Sequence, residues 1–266
     1  MCVGLSTNGD GVMAYERVSF MGASGHELAA RLDLPKGEIK AYGLFAHCFS
    51  CSKDLGAVNR ISRALNEDGI AVFRFDFTGL GQSEGDFSDT NFTSNVGDIL
   101  AAVSYMRDNL APPTVMMGHS LGGAAILIAG NDVPEVRAVA TIGAPANAVN
   151  VLKQFGDDIG TIEQEGQADV MLGGRPFVIK KQFVDDARAQ DILASVKTLR
   201  KPLLVMHSPI DATVDVDHAR QIYEAAMHPK SFVSLDHADH LLMKDPADGI
   251  YVARLISAWA SQYIRV

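Results

Sequence analysis

The residues best placed to do chemistry lie in Gly118-His119-Ser120-Leu121-Gly122, a serine with a glycine two positions to either side. An apolar run at 114–117 precedes it; Gly123 and an apolar helical run follow. That context predicts a sharp strand-to-helix turn, in which the glycines allow close backbone approach and the serine hydroxyl is lifted clear of the sheet edge. The turn also leaves the N–H of Leu121 at a helix N-terminus, where the dipole favours a developing oxyanion. The chemistry implied is nucleophilic attack on a carbonyl. An unassisted serine hydroxyl is a poor nucleophile at neutral pH, so a base and an acid must be supplied.

Both are sought further along the chain, just past strand ends. The run 202–207 leads into Ser208-Pro209-Ile210-Asp211, which puts Asp211 in the turn after a strand. Asp215 and Asp217 fall where a helix should start and read as capping residues. The run 231–235 leads into Asp236-His237-Ala238-Asp239-His240, and on residue type alone either histidine can be the base. A zinc site would need further ligands, so no metal is expected. His119, inside the serine turn, reads as a packing residue that also borders the substrate. Cys48-Phe49-Ser50-Cys51 has C-x-x-C spacing. A thioredoxin-type motif would open a helix directly after its strand, so these cysteines read instead as small buried hydrophobes. Gly79-Leu80-Gly81 does not complete a G-x-G-x-x-G nucleotide loop.

The elements that must position these groups recur as short apolar strands followed by helical patterns, the signature of a parallel sheet with crossover helices. Strands are predicted at 15–20, 27–32, 42–46, 70–75, 114–117, 136–142, 202–207 and 231–235, the first two as a hairpin. Helices are predicted at about 54–67, 91–109, 120–130, 217–227 and 246–264. From 146 to about 199 the alternation lapses, and inserted lid or binding elements are expected there. Phe155, Phe177 and Phe183 are its candidate apolar walls. The 266 residues suit one α/β domain, and 47% hydrophobic with 21% charged residues is ordinary globular composition. A net charge of -9 disfavours nucleic acid or an anionic membrane as partner. Residues 1–20 have neither a basic start nor an apolar core, so no secretory leader is expected and the cytoplasm is the expected location. The three cysteines do not suggest a secreted disulfide framework.

Four segments together resemble the α/β-hydrolase family across nearly the whole chain. His47-Cys48-Phe49 is similar to the family's His-Gly-x turn, which implies that the Phe49 N–H joins that of Leu121 in the oxyanion hole; Cys48 departs from the usual glycine. Asp76-Phe77-Thr78-Gly79-Leu80-Gly81-Gln82-Ser83 resembles the family's Gly-x-Gly-x-Ser loop. The turn around Ser120 is the third segment. The fourth is the pair Asp211-Ala212-Thr213-Val214 and Ala238-Asp239-His240, which selects His240 over His237. The resemblance implies a mostly parallel eight-stranded sheet flanked by helices, with a small lid at about 146–199 in a single domain spanning 1–266. It implies a serine esterase that needs no cofactor and acts on a small-molecule ester, of short acyl or aromatic type. Thioesters, lactones and small peptides are alternative substrates, and an inactive binding module or redox-associated domain is the alternative of another class. Longer matches at 45–54, 74–81 and 204–209 resemble the hydrolase half of bacterial proteins fused to an OsmC-like domain, so this chain is a stand-alone relative or an excised half. A homo-oligomer is compatible with this reading.

Overall fold

The computed structural model describes residues 14–264. Cys2 and the question of a leader therefore lie largely outside the described residues. The strands are β1 (Ala14–Met21), β2 (Glu27–Leu34), β3 (Ala41–Ala46), β4 (Ile70–Phe75), β5 (Val115–His119), β6 (Ala138–Ile142), β7 (Gln167–Leu172), β8 (Arg175–Lys180), β9 (Leu203–His207) and β10 (Lys230–Ser234). Eight form one sheet in the order β1-β2-β4-β3-β5-β6-β9-β10. β1 and β2 enter antiparallel, β2 pairs antiparallel with β4, and every later pairing is parallel. The five central strands carry almost unbroken apolar runs because helices cover both faces.

The helices are α1 (Gly56–Glu67), α2 (Phe92–Asn109), α3 (Leu121–Ala129), α4 (Asp158–Glu165), α5 (Lys181–Ala189), α6 (Ile192–Thr198), α7 (Asp217–Ala225) and α8 (Pro246–Ala260). On one face, Val58, Ile61 and Leu65 of α1 pack with Val252 and Ile256 of α8. On the other, Ile99, Val103 and Met106 of α2 share a core with α3 and Ile222 of α7. Local chemistry fixes the ends: Asn91 and Ser94 form a reciprocal capping box on α2, and Asp245 caps α8 ahead of Pro246. The serine helix begins one residue later than the pattern suggested, so Ser120 stays outside it.

The connection between β6 and β9 holds the inserted elements expected there and adds a detail that was not predicted. It has strands of its own: β7 and β8 pair as an antiparallel hairpin apart from the main sheet. Their signal is weak because the hairpin is mostly exposed, with Val170, Leu172 and Ile179 as its buried apolar residues. The turn is Gly173-Gly174, both at positive φ, which matches the two-residue hairpin loop that needs φ > 0 twice. A 3₁₀ segment, Ala148–Phe155, and α4 precede the hairpin, and α5 and α6 follow it. No helix among the described residues is long and apolar enough to cross a membrane.

Candidate active site

Ser120 occupies a backbone conformation that L-residues seldom adopt, φ 53° and ψ -125°. Such strain costs on the order of 1–3 kcal/mol and persists only where the surroundings enforce it. Here β5 is buried between β3 and β6, and the Ser120 N–H donates to the Ile142 carbonyl at 2.8 Å. Close packing completes the turn: a Cβ on Gly122 would sit 2.2 Å from the His47 carbonyl oxygen, and one on Gly118 would sit 2.6 Å from the Gly122 oxygen. Gly122 thus lets the serine helix lie directly against the segment that follows β3. Leu121 is the first residue of α3, where N–H groups have no intrahelical acceptor. Among the described residues, neither the Leu121 nor the Phe49 N–H donates a hydrogen bond.

Asp211 and His240 meet Ser120 from the ends of β9 and β10. His240 Nε2 is 3.0 Å from Ser120 Oγ, and His240 Nδ1 is 2.7 Å from Asp211 Oδ2. The other Asp211 oxygen accepts the N–H groups of Thr213 at 2.8 Å and Val214 at 2.9 Å. Burial penalises the Asp211 carboxylate, but the His240 hydrogen bond, the two N–H donors and the attraction to His240 outweigh it and hold its pKa below the ordinary carboxylate value. Behind it, buried His207 places Nε2 2.8 Å from the Val214 carbonyl oxygen, supporting the same turn. Asp239 organises the segment after His240 by accepting the N–H groups of Leu241, Met243 and Lys244. The competing acids do other work: Asp215 accepts the N–H of Asp217, and Asp217 pairs with Arg220.

Four side chains were expected at the substrate, and the structure separates them. His119 is 4% exposed, and its Nε2 lies 2.6 Å from the His240 carbonyl oxygen. Burial, reinforced by His240, lowers its pKa to about 3, so its Nε2–H donates as a neutral imidazole. His119 therefore ties the backbone of the histidine to the strand that carries the serine. With His119→Gln, kcat should fall about tenfold with KM within about twofold, because small misplacements of reacting groups cost up to about 10²-fold. The shape of the pH–rate profile should stay that of the wild type, since His119 does not titrate in the working range; steady-state kinetics across pH checks both.

Phe155 and Phe183 are buried, and both rings face Phe49, with centroids 6.2 and 5.4 Å from it. Phe177, half-buried on β8, packs on Phe87 at 4.8 Å, and Phe87 in turn touches Phe49 at 5.5 Å. Phe155, Phe177 and Phe183 thus join one aromatic cluster with Phe49 and Phe87.

Two features of the loop that carries Phe49 were not foreseen. Cys48 and Cys51, read as inert hydrophobes, are joined as a disulfide; C-x-x-C spacing permits the bond, and the turn brings the two Cα atoms to 5.4 Å. The loop is also clamped from behind. Lys53 donates its N–H to Asp76 Oδ1 at 2.6 Å and its ammonium to Asp76 Oδ2 at 2.8 Å, while Arg74 donates to the Lys53 carbonyl and pairs with Asp33. Lys53, Asp76 and Arg74 are all buried, which such charges tolerate only when paired. A lysine and an aspartate 23 residues apart give no sequence signal of contact. Among the described residues no cluster of His, Cys, Asp and Glu could hold a metal ion.

A model of the alpha/beta hydrolase family matches residues 43–252. In structure the chain is similar to the esterase domain of a Rhodothermus marinus protein, 47% identical, with TM-score 0.78 over 95% of this chain and 100% of that one. Est1E from Butyrivibrio proteoclasticus, solved with ferulic acid bound, shares the fold at 22% identity and TM-score 0.79, over 94% and 100% of the two chains. In sequence it is similar to the mitochondrial palmitoyl-protein thioesterase ABHD10 of Rattus norvegicus, 27% identical over 68% of this chain and 62% of that protein. A match to YfhR of Escherichia coli strain K12, 25% identical, covers 66% of this chain and 55% of that protein. The chain thus spans little more than half the length of the curated relatives it matches.

Proposed function

This chain belongs to the alpha/beta hydrolase family, and from that premise we propose that it is a serine hydrolase cleaving carboxylic esters through an acyl-enzyme. The observation that carries the reading is the continuous relay Ser120 Oγ–His240 Nε2, His240 Nδ1–Asp211 Oδ2, at 3.0 and 2.7 Å. His240 takes the Ser120 proton as Oγ attacks the carbonyl carbon. The oxyanion is received by the N–H groups of Phe49 and Leu121, both without another acceptor among the described residues. Asp211 holds Nδ1 protonated and stabilises the imidazolium. Collapse expels the alcohol, which takes its proton from His240. Water, activated by the same histidine, then attacks the acyl-enzyme and releases the acid and Ser120. This sequence calls for no metal or organic cofactor.

The insert at about 146–199 acts in this proposal as a lid whose phenylalanines, with Phe49 and Phe87, form an apolar wall for a short acyl or aromatic group. The ferulic acid bound to Est1E and the esterase domain from Rhodothermus marinus support an ester of that kind. The thioesterase relative favours a second reading, in which a thioester is cleaved by the same relay. The protein is proposed to act in the cytoplasm on a small molecule, away from membranes and nucleic acids, alone, as a homo-oligomer or beside an OsmC-like domain. A panel of p-nitrophenyl acetate, butyrate and octanoate, methyl ferulate and the matching acyl thioesters tests the substrate class. The acetate, butyrate and ferulate esters should give the highest kcat/KM; faster turnover of every matching thioester, or of octanoate alone, would overturn the assignment.

A further inference from the structure

We propose that the Cys48–Cys51 disulfide is a thiol-exchange site that sets the activity of the oxyanion hole. The inference rests on the serine-hydrolase reading above. The bond spans Phe49 and Ser50, and Phe49 is the residue whose N–H faces the oxyanion in that reading. Within the four-residue turn the Cys51 N–H donates to the Cys48 carbonyl at 3.2 Å, and His47 Nδ1–H donates to the same oxygen at 2.8 Å. Ser50 lies at φ 57°, the left-handed region where a non-glycine residue is disfavoured by about 1–2 kcal/mol. A turn with positive φ at its third position ordinarily takes glycine there. Here a serine is held in that conformation by a covalent bond across the turn. Its carbonyl is also held from the lid, where Arg175 Nη2, at the start of β8, donates at 2.9 Å.

Each anchor bears on the direction of the Phe49 N–H. Upstream, Gly122 packs against the His47 carbonyl; downstream, Lys53 is fixed by Asp76. Between those two fixed points the disulfide is the covalent constraint on Phe49 and Ser50. When it opens, the turn keeps its hydrogen bonds, the Arg175 contact included, but loses the covalent part of what opposes relaxation of Ser50 out of positive φ. Any such relaxation rotates the peptide unit beside Phe49. The stiff anchors at 47 and 53 confine the change to the hole, so the fold need not follow.

The site is built for exchange in one direction of attack. Cys48 is buried at 3% exposed, whereas Cys51 is half-buried, so Cys51 is the more accessible end for an incoming thiolate. The reductant is a dithiol. Its first thiolate attacks Cys51 Sγ, the Cys48–Cys51 bond breaks, and Cys48 leaves as a thiolate that takes up a proton. The second thiol of the reductant, as thiolate, closes on the mixed disulfide and releases Cys51, which is protonated in turn. Two electrons and two protons pass to the protein, and the reductant departs as its cyclic disulfide. Oxidation by a disulfide compound runs the exchange in reverse.

Removing one oxyanion donor outright costs about 10²–10³ in kcat. A donor still present but loosely aimed should cost less, so reduction should lower kcat about tenfold with KM within about twofold. The test uses the full chain with Cys2→Ser, so that only the two loop cysteines titrate. It is treated with dithiothreitol or with oxidised glutathione, desalted, and assayed on p-nitrophenyl butyrate. Thiols are counted by alkylation and mass spectrometry, and folding is followed by circular dichroism. The expected result is the kcat drop on reduction with an unchanged spectrum, its reversal on oxidation, and a Cys51→Ser variant fixed at the low kcat and insensitive to either reagent. Equal kcat in the two forms, a change in KM alone, loss of activity that tracks unfolding, or Cys51→Ser at the oxidised wild-type rate would each overturn the inference. These outcomes leave the serine-hydrolase reading standing, whereas an oxidised enzyme that hydrolyses no ester removes that reading and this inference with it.

Discussion

Replacing Ser120 with alanine should lower kcat on a short p-nitrophenyl ester by about 10⁴-fold or more while the protein stays folded. In the proposed mechanism the oxygen removed is the atom that forms the acyl bond, and the His240 imidazole 3.0 Å away has no other hydroxyl to activate among its described partners. Loss of a relay member leaves only what the oxyanion hole and substrate binding supply, about 10³–10⁴-fold over water. Stability should change little. Alanine at φ 53° meets the same backbone penalty as serine, and the Ser120 N–H bond to Ile142 and the packing of Gly118 and Gly122 do not involve the hydroxyl. Tm should therefore move by less than about 3 °C. A thermal melt beside the kinetics separates lost chemistry from lost structure.

Asp211→Asn should cost about 10⁴-fold in kcat, and the reason lies in how the carboxylate is held. Oδ1 accepts two backbone N–H groups, from Thr213 and Val214, and Oδ2 accepts from His240 Nδ1. An asparagine must keep its oxygen toward the two backbone donors, because turning its NH₂ there would set donors against donors. Its NH₂ then faces His240 and requires Nδ1 to accept. The imidazole is forced into the tautomer with the proton on Nε2, which cannot take the Ser120 proton. The same tautomer trap is the documented reason for a loss of this size in a Ser-His-Asp protease. KM should change far less than kcat, and a crystal structure of the variant should show the side-chain positions unmoved. A variant within tenfold of wild type would mean that Asp211 does not set the tautomer.

What could be read from the sequence divides along physical lines. The Ser120 turn was legible because strand, glycines and helix are all local, and each glycine answers a close approach found in the structure. Asp211 and His240 were legible as residues just past strand ends, although choosing His240 over His237 needed a family pattern. The β7–β8 hairpin was missed because its strands are largely exposed and carry few apolar residues facing the core, and only Gly173-Gly174 marked it. The Lys53–Asp76–Arg74–Asp33 network was invisible because it is assembled from β2, β4 and the loop after β3, with no local period. The packing role of His119 was legible from its place inside the turn, but its partner was not, because only the fold brings the His240 carbonyl to it. The Cys48–Cys51 spacing was compatible with a bond, a metal or simple burial, and the turn geometry chose the first.

The central claim is that Ser120 is an activated nucleophile, and reaction with a fluorophosphonate probe tests it most directly. One probe per chain should be found, located on Ser120 by peptide mass spectrometry, with no reaction in Ser120→Ala and reaction slowed by orders of magnitude in His240→Gln. An unlabelled wild-type protein, or a probe found on another residue with Ser120 untouched, would contradict it.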